Sequence, residues 1–124
     1  MNIKAPTPAE DELGKWETQL RKGGLGLAVL ATLWNGRRYG LEILKRLEAD
    51  AGMAVSEGAI YPLLNRLKTE GLVASEWVEA AGHPRKYYSL TEPGRARVRH
   101  MAASWTSFAA GLERLLAPVK GDDR

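Results

Sequence analysis

The sequence predicts a mainly α-helical protein with a small β-hairpin, arranged as a winged helix-turn-helix with one further helix at each end. Three observations support this fold class. Two short amphipathic segments, residues 41–50 and 56–70, follow one another across a brief link, which is the order of a helix-turn-helix. Two strand-like segments then occupy residues 73–90. Beyond them, apolar residues recur at helical spacing through a last long segment.

The N-terminal third is predicted to be helical. Residues 1–7 are predicted to form a flexible arm, and a capping box that begins at Thr7 predicts a first helix to about Lys22. The two glycines that follow are expected to break or bend this helix. Residues 25–33 are apolar on nearly every side, so they predict a separate helix buried in the core.

The second amphipathic segment carries the most informative surface. Ser56 is a good N-cap and Gly71 a good C-terminal stop. The outward side chains are small or polar along the helix and basic at both margins: Gly58, Tyr61, Asn65, Arg66, Lys68 and Thr69. A helix that enters the major groove of DNA needs these properties, because it must fit, read base edges and approach phosphates. The alternative is an ordinary amphipathic helix with a solvated face.

One residue of this helix breaks the local rules. Pro62 lies well inside the helix if Ser56 is the cap, where it removes a backbone hydrogen bond and crowds the preceding turn. The sequence therefore leaves two alternatives open. Either the first turn is loose or kinked, or the regular helix begins nearer Gly58.

A predicted hairpin follows the helix-turn-helix. Residues 73–79 and 85–90 have strand character, and residues 80–84 between them are turn-forming, which predicts a five-residue turn. Arg85 and Lys86 lie near its tip. A hairpin in this position is a wing, which can place cationic side chains on the DNA backbone beside the groove that the helix occupies.

The last helix carries a long apolar stripe. Thr91 can cap it. Apolar residues then fall at the heptad spacing of a helix that packs along another helix. These residues are Val98, Met101, Trp105, Phe108, Leu112 and Leu115. A winged domain does not need this stripe for its own core, so the stripe, with Leu13, Trp16 and Leu20, predicts a dimer interface. The alternative is that the two terminal helices pack on each other within one chain.

Composition and charge restrict the function classes. The net charge is +3, with acidic residues near both ends and basic residues in the middle. This arrangement suits a polyanionic partner, although a solvated surface with chance clustering is the alternative. The absence of cysteine excludes disulfides and thiolate metal sites and fits a reducing cytoplasm. The longest apolar run, around residues 25–34, is too short to span a bilayer, and the N-terminus lacks signal-peptide features.

Catalytic and metal-binding patterns are not found in the sequence. The two histidines, His83 near the hairpin tip and His100 on the last helix, are far apart in the expected fold, so a metal site would need carboxylates from elsewhere. No nucleophile elbow, phosphate loop or dinucleotide fingerprint appears. We expect a non-enzymatic cytoplasmic protein without a metal or other cofactor.

Four stretches resemble the PadR family of bacterial transcriptional regulators, and together they span about residues 15–116. They are residues 20–23, 39–43, 61–72 and 84–94. The single C-terminal helix is similar to that of the smaller subfamily, which lacks a large C-terminal domain. The resemblance implies a dimeric winged-helix repressor bound to a pseudo-palindromic operator, with the N- and C-terminal helices building the dimer.

The resemblance also implies residue roles. Tyr61 and the start of its helix would approach double-stranded DNA, while Arg85 and Lys86 would contact phosphate or the minor groove. The full set expected at the DNA interface is Tyr39, Ser56, Gly58, Tyr61, Asn65, Arg66, Lys68, Arg85 and Lys86. The competing hypothesis is a winged-helix protein-interaction module that does not bind DNA.

A ligand is the last implication of the resemblance. Some multidrug-sensing members carry a tryptophan on the C-terminal helix, paired across the dimer in a central ligand-binding pore. Trp105 lies at the matching place, and Trp16, Met101 and Phe108 could line the same space. A small, flat aromatic ligand would fit such a pocket. The alternative is that Trp105 is an interface residue and that no ligand exists.

These predictions divide the chain into four parts. Residues 1–7 are the flexible arm, and residues 8–90 are the winged helix-turn-helix domain with its N-terminal helix. Residues 91–117 are the C-terminal dimerisation helix, and residues 118–124 are a polar tail.

Overall fold

The computed structural model describes residues 7–122, so most of the predicted arm lies outside the described residues. Four helices and three strands follow in the order α1, β1, α2, α3, β2, β3, α4. The fold is mainly helical with a small antiparallel sheet, which confirms the predicted class. Within residues 7–122, the helices are too short or too polar to cross a membrane.

Helix α1 is a single helix from Pro8 to Thr32, and the prediction of a break at Gly23 and Gly24 is wrong. Each glycine costs a helix about 1 kcal/mol relative to alanine. That cost is offset because the C-terminal part of α1, with Val29 and Leu30 fully buried, is fixed in the core. Tertiary packing therefore keeps α1 continuous across Gly23 and Gly24.

Helices α2 (Gly40–Ala51) and α3 (Glu57–Thr69) form the helix-turn-helix. Ser56 caps α3 as predicted, with its hydroxyl oxygen accepting from the Ala59 amide at 3.2 Å. The helix begins directly after this cap and continues through Pro62. Residues 58 and 62 are both exposed, so the Gly58 carbonyl that loses a donor to the proline can reach water.

Strands β2 (Val73–Ala80) and β3 (His83–Leu90) form the predicted hairpin. The turn is shorter than predicted, with two residues instead of five. Ala81 and Gly82 both have positive φ, 50° and 81°, the conformation that a tight two-residue hairpin turn requires.

A third strand was not predicted from the sequence. Strand β1, Arg38–Tyr39, pairs antiparallel with β3, opposite Tyr88 and Tyr87, in the sheet order β1-β3-β2. The short strand attaches the wing directly to the N-terminus of α2, because Tyr39 is also the N-cap of that helix.

Helix α4 runs from Glu92 to Lys120, with Thr91 as its cap, and it passes the predicted end at residue 117. Its last turn contains Pro118 and is closed by the Gly121 amide, which donates to the Ala117 carbonyl at 3.1 Å. The first three residues of the predicted polar tail, residues 118–120, are therefore helical.

One core joins all these elements. It is built from residues of α1, α2, α3, the sheet and the start of α4, together with Leu33 after α1 and Leu72 before β2. The buried residues are Val29, Leu30, Leu33, Ile43, Leu47, Ile60, Leu64, Leu67, Leu72, Val73, Tyr88 and Val98. The beginning of α4 sits tightly on this core: a Cβ at Gly94 would overlap the Leu72 carbonyl.

Candidate nucleic-acid interface

A groove runs between helix α3 and the β2–β3 hairpin, and several predicted site residues gather around it. Its cavity volume is about 630 Å³. Helix α3 supplies one wall, the hairpin supplies the other, and the first residues of α2 also line it. The lining residues are Tyr39, Gly40, Leu41, Glu57, Tyr61, Asn65, Trp77, Arg85, Lys86 and Tyr88.

The α3 wall presents three side chains at intervals of four residues. Glu57, Tyr61 and Asn65 lie on one face of the helix because this spacing is close to a full turn. Tyr61 is 40% exposed, and its ring lies against the backbone of Gly40, where a Cβ would come within 2.5 Å of the hydroxyl oxygen. The glycine therefore makes room for the tyrosine beside α2, and the remaining surface of the ring and Asn65 faces solvent.

Arg85 is held by a series of ring contacts that crosses the sheet. Its guanidinium carbon lies 4.5 Å from the centroid of the Tyr39 ring, and Tyr39 meets Tyr87 edge to face at 5.5 Å. The Arg37 guanidinium carbon lies 4.9 Å from the Tyr87 ring and its Nη1 is 2.6 Å from Oε1 of Glu76. Tyr39, which was predicted to contact DNA, thus also supports the wing cation.

Lys86 lies beside two other aromatic rings on the groove side of the hairpin. Its Nζ is 5.9 Å from the ring centroids of both Trp77 and Tyr88. Trp77 is the cross-strand partner of Lys86, and Tyr88 is two residues along the same strand, so the three side chains share one face. Tyr88 is buried, while Trp77 is 68% exposed.

The groove brings together only part of the predicted DNA-binding set. Ser56 acts as a helix cap, and Gly58 and Lys68 are exposed on α3 without lining the groove. Arg66 lies on the other flank of α3, where it lines a separate cavity beside α1 and forms a 3.7 Å ion pair with Glu70. Their roles at DNA remain predictions.

Sequence reasoning missed several groove residues. Tyr88 could have been found by the alternation of side chains along β3, because it lies two residues after Lys86, whereas Trp77 could be assigned to this face only from the register of the two strands. Glu57 could have been found by its four-residue spacing to Tyr61. Gly40 and Leu41 had no such signal, because only the folded chain brings the start of α2 to the groove.

Burial changes the ionisation of one tyrosine in the groove. The pKa of Tyr88 is raised above the ordinary value of 10.0, chiefly because burial disfavours the charged phenolate and additionally because of Tyr61 nearby. Tyr88 is therefore a neutral ring at physiological pH. Among residues 7–122, no group of three or more His, Cys, Asp or Glu residues is placed to hold a metal ion.

The terminal helices carry the other notable surface. Leu13, Trp16 and Leu20 of α1 are half or more exposed, although large apolar side chains are normally buried. On α4 the exposed apolar side chains are Trp105, Phe108, Leu112, Leu115 and Val119.

Two residues of the predicted dimer interface are buried or half-buried within their own chain instead of being exposed. Val98 is only 8% exposed and belongs to the core of its own chain, and Met101 is half-buried against that core. The first part of the heptad stripe thus packs within one chain, where α4 contacts α1. The stripe becomes exposed from Trp105 onward.

Known proteins are similar to this chain in sequence and fold. Residues 29–100 match the model of the Transcriptional regulator PadR-like family. A crystal structure of a PadR family transcriptional regulator from Eggerthella lenta DSM 2243 is 36% identical, with a TM-score of 0.77, and the match covers 87% of this chain and 95% of that one. A PadR-like transcriptional regulator from Bacillus cereus strain ATCC 14579 is 32% identical, with a TM-score of 0.74 and coverage of 79% and 96%.

A curated relative matches over a shorter stretch. A transcriptional regulator from Mycobacterium tuberculosis is 44% identical over 70 residues, which is 56% of this chain and 59% of that protein. The matched stretch therefore spans less than two thirds of the length of this relative.

Proposed function

This chain belongs to the PadR-like family of transcriptional regulators, and we propose that it is a dimeric repressor that binds a pseudo-palindromic operator. One observation carries the proposal. In the groove, two exposed side chains of α3, Tyr61 and Asn65, lie next to the wing cations Arg85 and Lys86. A polyanionic duplex with polar base edges is the partner that satisfies both kinds of group.

The separate roles that we propose for α3 and the wing follow from the chemistry of these side chains. Helix α3 enters the major groove, where the amide of Asn65 can pair with the N6 and N7 positions of adenine. The tyrosine at position 61 offers a hydroxyl and an apolar ring to neighbouring bases. Arg85 and Lys86 neutralise phosphates of the flanking backbone and release counterions, which provides affinity without sequence preference.

Dimerisation is proposed from the apolar surface of the terminal helices. Trp16 and Leu20 on α1 and Trp105 and Phe108 on α4 are each half or more exposed. Clustered apolar side chains of this kind mark association surfaces in soluble proteins. A twofold dimer would present its two α3 helices to half-sites about 34 Å apart on one face of the duplex.

Release from the operator is proposed to involve a flat aromatic ligand at the dimer interface. The exposed rings of Trp16, Trp105 and Phe108 offer surfaces that such a ligand could stack on, and Met101 lies about one turn before Trp105 on α4. A ligand that binds one dimer geometry better than another shifts the population toward it. In the released geometry, the two α3 helices would no longer match the half-site spacing.

The direct test is binding to duplex DNA. An operator would be selected from a randomised duplex pool and compared with random duplex by fluorescence anisotropy over a range of salt concentrations. The wild-type protein should prefer the selected duplex. The double variant Arg85→Ala/Lys86→Ala should bind both duplexes more weakly and lower the salt slope by about two per protomer.

The matched control is Arg114→Ala/Lys120→Ala, which removes two positive charges from the C-terminal part of α4. It should keep the wild-type slope. A wild-type protein that prefers no duplex would contradict the proposed function and favour the protein-interaction module.

A further inference from the structure

Trp77 is exposed on an element that does not belong to the proposed dimer surface. Its indole is 68% exposed and lies on strand β2 of the wing, whereas the exposed apolar side chains that we assign to the dimer lie on α1 and α4. An aromatic side chain of this size gains substantially from burial, so its position in solvent indicates a surface that is covered in a complex. Leu41 and Tyr61 of the same groove are also exposed, at 44% and 40%.

The neighbours of Trp77 limit what can cover it. Lys86 lies directly across the hairpin, with Nζ 5.9 Å from the indole centroid, and Arg85 lines the same groove. An apolar protein surface would have to desolvate these cations without pairing them, which is costly. The covering surface must therefore be apolar at the indole and anionic within a few ångströms of it.

The wall of a DNA groove alternates between apolar and anionic groups over such short distances. Each nucleotide presents a charged phosphate beside an apolar deoxyribose ring, and the repeat is short enough for adjacent side chains to contact both. The indole also carries one N–H donor, which can reach a phosphate oxygen while the ring faces the sugar. A lysine and a tryptophan paired across a hairpin match this surface.

We propose that Trp77 is a DNA-contacting residue of the wing, with its indole against the deoxyribose rings of the strand whose phosphate Lys86 contacts. This inference rests on the proposed function and adds an uncharged contact to it. Because sugars are the same in every sequence, the contact increases affinity without changing operator preference. Because the indole is neutral, the contact does not alter the dependence of binding on salt.

The binding test uses the full chain with the selected operator and with random duplex. Trp77→Ala should weaken binding to both duplexes by roughly tenfold, the loss of about 1.4 kcal/mol that removal of an aromatic anchor readily reaches. Its salt slope should equal that of the wild type. Lys86→Ala is the matched comparison, and it should lower the slope by about one per protomer.

The contact itself is tested by tryptophan emission. Adding duplex should change the emission of the wild-type protein and of Trp105→Phe, which removes another exposed indole. The change should be lost in Trp77→Phe, a variant that keeps an aromatic ring in the strand. This readout decides the proposal even if Trp77→Ala weakens the hairpin.

The outcomes separate this inference from the function on which it rests. If the wild type binds the operator but Trp77→Ala binds as tightly, or the duplex-induced emission change persists in Trp77→Phe, the contact at Trp77 is refuted and the proposed function stands. If the wild type binds no duplex, both are refuted. A lowered salt slope in Trp77→Ala would also contradict the sugar contact, because it would assign the effect of the indole to phosphate binding.

Discussion

At the scale of single residues, the groove combines side chains that we propose to read bases with side chains that support them, and exposure distinguishes the two. Tyr61 and Asn65 are exposed on α3, while Tyr39 lies under the guanidinium of Arg85. Residue type alone does not separate these roles, because two tyrosines serve different purposes. The placement of each tyrosine in the fold separates the two roles, because strand β1 puts Tyr39 beside Tyr87 and against Arg85.

Tyr88 makes a prediction about alkaline pH. Its pKa is raised in the folded state by burial, whereas an unfolded tyrosine ionises near 10.0. The stability that the neutral ring contributes is fully present below the unfolded pKa and is lost as pH rises through the folded pKa. Tyr88→Phe should therefore flatten the fall in the free energy of unfolding that begins as pH rises past the ordinary tyrosine pKa of 10.0.

Urea denaturation at several pH values would measure this effect. Below the ordinary tyrosine pKa of 10.0, Tyr88→Phe and the wild type should show the same pH dependence, which serves as the internal control. An unaltered alkaline fall in Tyr88→Phe would show that this tyrosine is not the group responsible.

At the scale of elements, strong local signals predicted most of the fold. The caps Ser56 and Thr91 start α3 and α4 where the sequence indicated, and alternation located both long strands. The failures have physical causes. The glycines at 23 and 24 oppose a helix locally, but the buried C-terminal part of α1 overrides them.

Local sequence patterns did not predict all parts of the sheet. Strand β1 has two residues, which is too short for any periodicity, and its existence depends on β3 some 50 residues later. The tight turn at Ala81 and Gly82 was missed because alanine rarely adopts positive φ. For the candidate site, sequence suggested Tyr61, Asn65 and the wing cations, but only the strand register reveals that Trp77 faces the same groove.

At the scale of the whole molecule, two surfaces define the proposal: a cationic groove for DNA and an apolar face for a second copy. The dimer predicts that Phe108→Asp, at a position 64% exposed in the protomer, leaves the fold intact but places a charge in the interface. Sedimentation should then show monomers where the wild type forms dimers, and operator affinity should fall because one half-site is lost.

Thr106→Asp places the same charge on nearly the opposite side of α4 and serves as the control. It should remain dimeric. A dimeric Phe108→Asp would place the association surface elsewhere on the chain.

We propose above all that α3 contacts the bases of the operator while the wing contacts the DNA backbone. The most direct test measures operator and random-duplex affinities across salt for Asn65→Ala and Lys86→Ala. Asn65→Ala should lower the operator preference by roughly tenfold per protomer, the loss of one bidentate base contact in each half-site, and keep the salt slope. Lys86→Ala should lower the slope by about one per protomer and keep the preference. Equal effects of the two variants on preference and slope would contradict this division between helix and wing.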